Sequence, residues 1–138
     1  MGSRSTIEPD LLRGIQVLVV DDDAEARTLF ASVLEYFGAQ VVAVGSARAA
    51  LTALDRVTPH AIVCDIVMPA DDGFALLRAL RTRTAVREVP VIALTGYSAV
   101  HAAEDALAAG FEAYLRKPVE PAELCRVVAR VRRRREPS

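Results

Sequence analysis

Cysteine is scarce in this chain, and its two cysteines show no sign of pairing or of binding metal. Cys64 and Cys125 stand far apart inside apolar stretches, without a Cys-x-x-Cys motif or a histidine at ligand spacing. We therefore expect both to be small buried hydrophobic residues in a reducing, cytoplasmic setting. The 138 residues, 52% hydrophobic and 25% charged, suffice for one globular domain whose core needs no disulfide or structural metal.

Long hydrophobic runs are missing as well. No apolar stretch approaches the roughly 20 residues that a bilayer-spanning helix needs. The amino terminus, MGSRSTIEPDLLRG, is too polar for a secretory signal. We expect a protein that is neither exported nor inserted in a membrane.

Lysine is the rarest charged residue, since Lys117 is the single lysine among seventeen basic side chains. In a chain that otherwise uses arginine, this indicates a position that requires a compact ammonium on a flexible stem. The net charge of −1 is unevenly distributed, at −6 over residues 1–125 and +5 over residues 126–138. We interpret the terminal arginine run as a solvated tail that binds no nucleic acid, because no aromatic residue interrupts it.

Short apolar runs alternate five times with segments of helical periodicity. This pattern predicts five βα units, and strands joined by helical crossovers must run parallel. Right-handed crossovers then place helices on both faces of one sheet, so the predicted fold is a doubly wound α/β domain. The predicted strands are residues 15–20, 40–44, 61–64, 90–94 and 111–115, and the predicted helix N-caps are Asp23, Ser46, Asp72 and Ser98.

Polar residues follow four of the predicted strands: Asp21 and Asp22, Asp65, Thr95 and Lys117. The carboxyl ends of parallel strands meet at one edge of the sheet, where open α/β folds bind their ligands. Three gathered carboxylates repel one another, and a hard divalent cation such as Mg²⁺ relieves that repulsion. The set therefore predicts a magnesium-assisted phosphoryl site with a nucleophilic carboxylate.

Four motifs resemble the receiver domain of two-component response regulators, and they occur in that family's order and spacing. They are VLVVDDD (17–23), CDIVMPADDG (64–73), ALTG (93–96) and YLRKPV (114–119). The resemblance covers residues 14–131, between a leader or interdomain connection at 1–13 and a basic tail at 132–138. It implies a five-stranded parallel sheet in the flavodoxin-like order 2-1-3-4-5.

The resemblance also implies a role for each acidic position. Asp65 resembles the phosphoacceptor, which takes a phosphoryl group from a partner's phosphohistidine. Asp22 resembles the direct Mg²⁺ ligand and Asp21 the acid that acts mainly through bound water, while the backbone carbonyl of Val67 completes the coordination. A domain of this kind catalyses only its own phosphorylation and dephosphorylation, and is otherwise not an enzyme.

The remaining motif residues resemble the family's switch. Thr95 resembles the hydroxyl that moves toward the phosphoryl group, and Tyr114 the aromatic side chain that turns inward behind it. Lys117 precedes Pro118, and in the family that peptide bond is usually cis. The implied output is the face formed by the fourth helix, fifth strand and fifth helix, which controls a partner and is a possible homodimer interface.

The implied phosphodonor is a histidine kinase or a histidine phosphotransfer domain. The sequence also resembles receivers attached to hybrid sensor histidine kinases. Val67 and Tyr97 correspond to positions that tune the lifetime of the acyl phosphate in the family. An apolar Val67 cannot hydrogen-bond an attacking water and a bulky Tyr97 would shield the phosphoryl group, so we expect slow self-dephosphorylation.

The residues argue against two other functions and leave a third one open. A haloacid-dehalogenase-like hydrolase needs a second acid where Val67 stands, and a nucleotide-binding domain needs a glycine-rich phosphate loop, but no two of the seven glycines form Gly-x-Gly. A receiver that acts without phosphorylation, as a dimerisation or protein-docking module, stays open as an alternative. We expect His60 and His101, which lie away from the acids, to be ordinary surface or packing residues.

Overall fold

A computed structural model describes residues 8–68, 73–96 and 102–134. Within these ranges the chain forms five strands and five helices in strict alternation. The strands are β1 (Gln16–Val20), β2 (Gln40–Val44), β3 (Ala61–Asp65), β4 (Val91–Thr95) and β5 (Ala113–Arg116). The helices are α1 (Ala24–Tyr36), α2 (Ala47–Leu54), α3 (Gly73–Arg81), α4 (Ala102–Ala109) and α5 (Pro121–Arg134).

The strands form one parallel sheet in the order β2-β1-β3-β4-β5, which confirms the predicted doubly wound fold. Strands β3 and β4 are buried along their whole length, whereas β2 lies at an edge and is largely exposed. Side chains of successive residues point to opposite faces of a strand. Val17 and Val19 accordingly pack in the core on the side of α1 and α5, and Leu18 and Val20 in the core on the side of α2 and α3.

Local capping chemistry sets the helix ends. The Asp23 side chain accepts a hydrogen bond from the Glu25 backbone N–H at the start of α1, and Ser46 does the same for Ala49 at the start of α2, as predicted. The other two predicted caps, Asp72 and Ser98, lie outside the described residues.

The fifth strand begins two residues later than predicted. Gly110 adopts a φ of 114°, and the backbone N–H of Phe111 donates to the carbonyl of Ala106, 3.0 Å away. These residues therefore complete the end of α4 before the chain enters β5.

The packed part of the chain extends beyond residues 14–131 at both ends. Leu12, which the sequence placed in a leader, is fully buried in the core that also holds Leu34 of α1. Its backbone N–H also donates to the carbonyl of Phe37, 2.8 Å away. At the other end α5 continues to Arg134, so the first residues of the basic tail are helical. Among the described residues there is no helix long and apolar enough to span a membrane.

Candidate functional site

The sheet brings the predicted polar residues together at the carboxyl ends of its strands. Asp21 follows β1, Asp65 ends β3, Thr95 ends β4 and Lys117 follows β5. Because β1, β3, β4 and β5 are successive neighbours in the sheet, residues distant in sequence share one edge. The edge is the one at which the fold class predicts a ligand site.

Three carboxylates form the acidic part of this site. Carboxylate oxygens of Asp21, Asp22 and Asp65 lie within 4.8 Å of one another. Asp21 is fully buried and Asp65 is 7% exposed, whereas Asp22 faces solvent. The donor set consists of hard oxygen atoms at close range, which fits Mg²⁺ better than a soft transition metal.

The lone lysine bridges two of the acids. The Nζ atom of Lys117 lies 3.0 Å from Oδ2 of Asp21 and 2.9 Å from Oδ2 of Asp65. Burial lowers the pKa of the ammonium, but the hydrogen bonds that it donates to Asp65 and Asp21, together with the negative charges of those two carboxylates, hold the pKa above its usual value. Lys117 therefore stays charged and compensates two carboxylates that are largely removed from water. The Lys117–Pro118 peptide bond that leads away from it is cis.

Backbone groups orient both buried carboxylates. Oδ1 of Asp21 accepts a hydrogen bond from the N–H of Asp23, and Oδ1 of Asp65 accepts one from the N–H of Val67, each at 2.9 Å. Each carboxylate therefore has one oxygen held by the backbone and the other by Lys117. Because both oxygens are held, neither side chain rotates freely, and the site is preorganised.

Thr95 and Tyr114 differ in their surroundings. Thr95 is buried, and its hydroxyl donates to the Leu115 carbonyl on β5 at 3.4 Å. The Tyr114 side chain is 40% exposed, so in this structure it is not turned inward. The Val67 side chain is exposed beside the acids, while Tyr97 and His101 lie outside the described residues.

His60 lies at the opposite end of the sheet from the acids. Its Nδ1 accepts a hydrogen bond from the backbone N–H of Gln16 at the start of β1. Cys64 and Cys125 are fully buried, as predicted. Burial raises the pKa of the Cys125 thiol to about 11, which leaves it protonated and unreactive.

Sequence reasoning missed Arg27. Its Nη1 atom donates to the backbone carbonyl of Asp21 at 2.8 Å. The guanidinium lies close to Gly45, in space that a side chain at that position would need. A bond from a side chain to a backbone carbonyl depends on no residue type at the acceptor, so the sequence carries no motif for it.

A doubly wound parallel sheet with three acids, a hydroxyl and a lysine at its carboxyl edge defines an α/β domain with a polar ligand site. The family model for the response regulator receiver domain matches residues 17–129. The chain belongs to this family.

The chain is also similar to individual proteins. The chain is 42% identical over 117 residues to an uncharacterized 14.6 kDa protein of Leptolyngbya boryana, with 85% of this chain and 89% of that protein covered. It is 40% identical over 115 residues to the response regulator protein FleR of Pseudomonas aeruginosa, covering 83% of this chain but only 24% of FleR. The chain thus spans most of one relative and about a quarter of the other.

A solved structure shows the same fold. The receiver domain of a sensor histidine kinase from Pseudomonas aeruginosa, with a magnesium ion coordinated in its active site cleft, superposes with a TM-score of 0.78. The two sequences are 33% identical, and the match covers 86% of this chain and 98% of that one.

Proposed function

We propose that this domain is a phosphoacceptor switch and that Asp65 is the residue phosphorylated. The observation that carries the proposal is the bridge from Lys117 to both Asp21 and Asp65. A partly buried ammonium at this position neutralises the acids in the resting state and is free to pair with phosphoryl oxygens once Asp65 is modified.

The proposed chemistry is transfer of a phosphoryl group from a phosphohistidine to Asp65. A carboxylate oxygen of Asp65 attacks phosphorus, an O–P bond forms, and the N–P bond of the donor breaks with its electron pair returning to the imidazole. The Val67 N–H and the Lys117 ammonium hold the attacking carboxylate in one orientation. The proposed donor is a histidine kinase or a histidine phosphotransfer domain, in keeping with the family.

Magnesium is the proposed cofactor. Asp22, Asp65 and the carbonyl of Val67 would bind it directly, with Asp21 acting mainly through bound water. The bound ion would neutralise negative charge on the carboxylates and the incoming phosphoryl group. Support comes from the hard oxygen donors gathered within 4.8 Å.

The proposed switch couples the phosphoryl group to the face formed by α4, β5 and α5. Thr95 would exchange its bond to the Leu115 carbonyl for a bond to the phosphoryl oxygens, and Tyr114 would turn inward from its exposed position. This shifts the population between two packings of α4, β5 and α5, the face proposed to contact a partner or a second copy. Val67 and Tyr97 are proposed to slow self-dephosphorylation.

We propose that the domain acts either as part of a larger signalling protein or as a separate protein that works with one. Residues 1–13 would belong to an interdomain connection if the domain is joined to a hybrid kinase, and residues 132–138 to a basic tail. Beyond catalysing its own phosphorylation and dephosphorylation the domain would have no enzymatic activity, and it would bind neither nucleic acid nor membrane.

The decisive experiment is the intact mass of the protein after incubation with acetyl phosphate and Mg²⁺. Wild type gains one phosphoryl group, and the gain is lost in Asp65→Asn and in excess chelator. Asp23→Asn is the matched control, because it removes a neighbouring exposed carboxylate while Asn still caps α1. We expect this variant to be phosphorylated like wild type.

Other outcomes contradict the proposal. A gain of mass that survives Asp65→Asn would move the acceptor to another residue. No gain in wild type, under conditions that phosphorylate an established receiver, would favour the alternative of a docking module that acts without phosphorylation.

A further inference from the structure

Every polar atom of Asp21 has a partner, and one of these partners is an arginine side chain from outside the proposed site. Its N–H donates to the Val44 carbonyl, Oδ1 accepts from the Asp23 N–H, and Oδ2 accepts from Lys117. Its backbone carbonyl accepts from Nη1 of Arg27, 2.8 Å away on the first turn of α1. The guanidinium thus ties the loop that carries the acids to the helix that follows it.

The carbonyl that Arg27 holds belongs to the peptide unit between Asp21 and Asp22. A peptide unit is planar, so fixing its carbonyl also fixes the direction of its N–H and the start of the next residue. Asp22 is exposed. Arg27 therefore orients Asp22 through the backbone, without touching its carboxylate.

Gly45 provides the space that this contact needs. A Cβ atom at Gly45 would lie 2.8 Å from Nη1 of Arg27 and 3.5 Å from its Cζ. The obstructing group is the far end of a flexible side chain, so a methyl group here would push the guanidinium aside and leave the backbone in place.

We infer that Arg27 is a positioning residue for the divalent cation site, and that Gly45 is required for its placement. The inference rests on the proposed function, because it assumes that the three acids bind Mg²⁺. Outer-shell partners that orient metal ligands change metal affinity by about 10- to 100-fold when they are removed. Arg27 would act at the weak end of that range, because it holds the backbone and not a ligand atom.

The direction of the change in Mg²⁺ affinity distinguishes an effect of Arg27 on the orientation of Asp22 from an effect of its charge. Arg27 is cationic, so its charge alone repels Mg²⁺, and removing that charge alone would tighten binding. Loss of the hydrogen bond instead weakens binding, because Asp22 is no longer preorganised. The two explanations therefore predict opposite changes.

The test is calorimetric titration of the unphosphorylated protein with MgCl₂, accompanied by thermal unfolding of each variant. We expect Arg27→Met to raise the Kd for Mg²⁺ by about tenfold. Gly45→Ala keeps the positive charge but displaces the guanidinium, and it should raise the Kd at least as much. Arg27→Lys retains one donor on a shorter stem and should give an intermediate value.

Arg78→Met is the matched control, since Arg78 is exposed on α3 and its loss removes the same charge. We expect its Kd to stay within twofold of wild type.

Three results would overturn the inference. If Arg27→Met binds Mg²⁺ as tightly as wild type or more tightly, Arg27 does not position the site. If Arg27→Met only lowers the melting temperature, its role is in the fold. If wild type itself binds no Mg²⁺, both this inference and the proposed metal site fail. If wild type binds Mg²⁺ and the variants have the same Kd, only this inference fails.

Discussion

The backbone N–H of Gln16 donates a hydrogen bond to Nδ1 of His60 across 2.9 Å. The bond joins the start of β1 to the residue before β3, and it requires an unprotonated Nδ1. Burial, and then repulsion by Arg132, lower the pKa of His60 below its ordinary value. The neutral imidazole is therefore part of the folded sheet, at the end remote from the acids.

This bond predicts that the protein becomes less stable as the pH is lowered. The folded-state pKa of His60 is lower than its unfolded value of about 6.5, so its contribution is complete above that pH and is lost as pH falls through the folded-state pKa. His60→Asn keeps an acceptor at the δ position but does not titrate. We expect the melting temperature of wild type to fall more steeply between pH 7 and pH 5 than that of the variant. Parallel curves for the two proteins would contradict this assignment.

Lys117→Met should destabilise the metal-free protein. The change leaves Asp21 and Asp65 buried without their shared cation, at a cost of about 2 kcal/mol, which is below that of a fully buried pair because Lys117 keeps 28% of its side chain exposed. Urea unfolding in EDTA measures the loss, and added Mg²⁺ should restore part of it. Arg116→Met, on the exposed neighbouring residue, should change stability by less than about 0.5 kcal/mol. Equal stability of the two variants would rule out the bridge as a stabilising contact.

Gly73→Ala tests a close backbone contact at the start of α3. A Cβ there would lie 2.8 Å from the Cα of Ile66, a main-chain atom that cannot rotate away. We expect a loss of about 1–3 kcal/mol in the free energy of unfolding, as for other overpacked sites. Gly96→Ala is the control, because a Cβ at Gly96 would have no atom of the described residues within 4 Å, its chain neighbours aside. Similar urea midpoints for both variants would show that the backbone relaxes around the methyl group.

Leu12→Ala tests where the folded domain begins. Leu12 is fully buried, and truncation of a buried leucine costs about 2–5 kcal/mol. Leu29→Ala on α1, whose side chain is 54% exposed, should cost less than about 1 kcal/mol. The comparison uses the free energy of unfolding in urea. If Leu12→Ala is no more costly than Leu29→Ala, residues before 14 are dispensable for the fold.

Much of the fold followed from local patterns in the sequence. Hydrophobic runs separated by helical periods predicted five strands and their parallel direction, because a helical crossover leaves no other direction open. The strand order came from resemblance to a family, since periodicity does not say which strand lies beside which. Asp23 and Ser46 were predictable as caps because an N-cap bond spans only two or three residues.

Contacts between distant residues were not predictable in this way. Residues 1–13 are predicted as a leader, but Leu12 is buried in the core that also holds Leu34 of α1, and no local period involving residue 12 could indicate this. The bond between His60 and Gln16 spans 44 residues and has a backbone donor. Such a bond leaves no constraint on residue type at one of its two ends, so it has no sequence pattern.

The sequence by itself determined which residues would stand at the carboxyl edge of the sheet, because each follows a strand of fixed direction. The sequence did not determine which of these residues contact one another. Tertiary structure alone decided that Lys117 bridges Asp21 and Asp65, and that Arg27 holds the Asp21 carbonyl over Gly45. The physical reason is the distance along the chain between the partners. Strand direction and capping arise from neighbouring residues, whereas Lys117 meets Asp21 and Asp65, and Arg27 meets Gly45, only after the sheet has brought separate segments within about 3 Å.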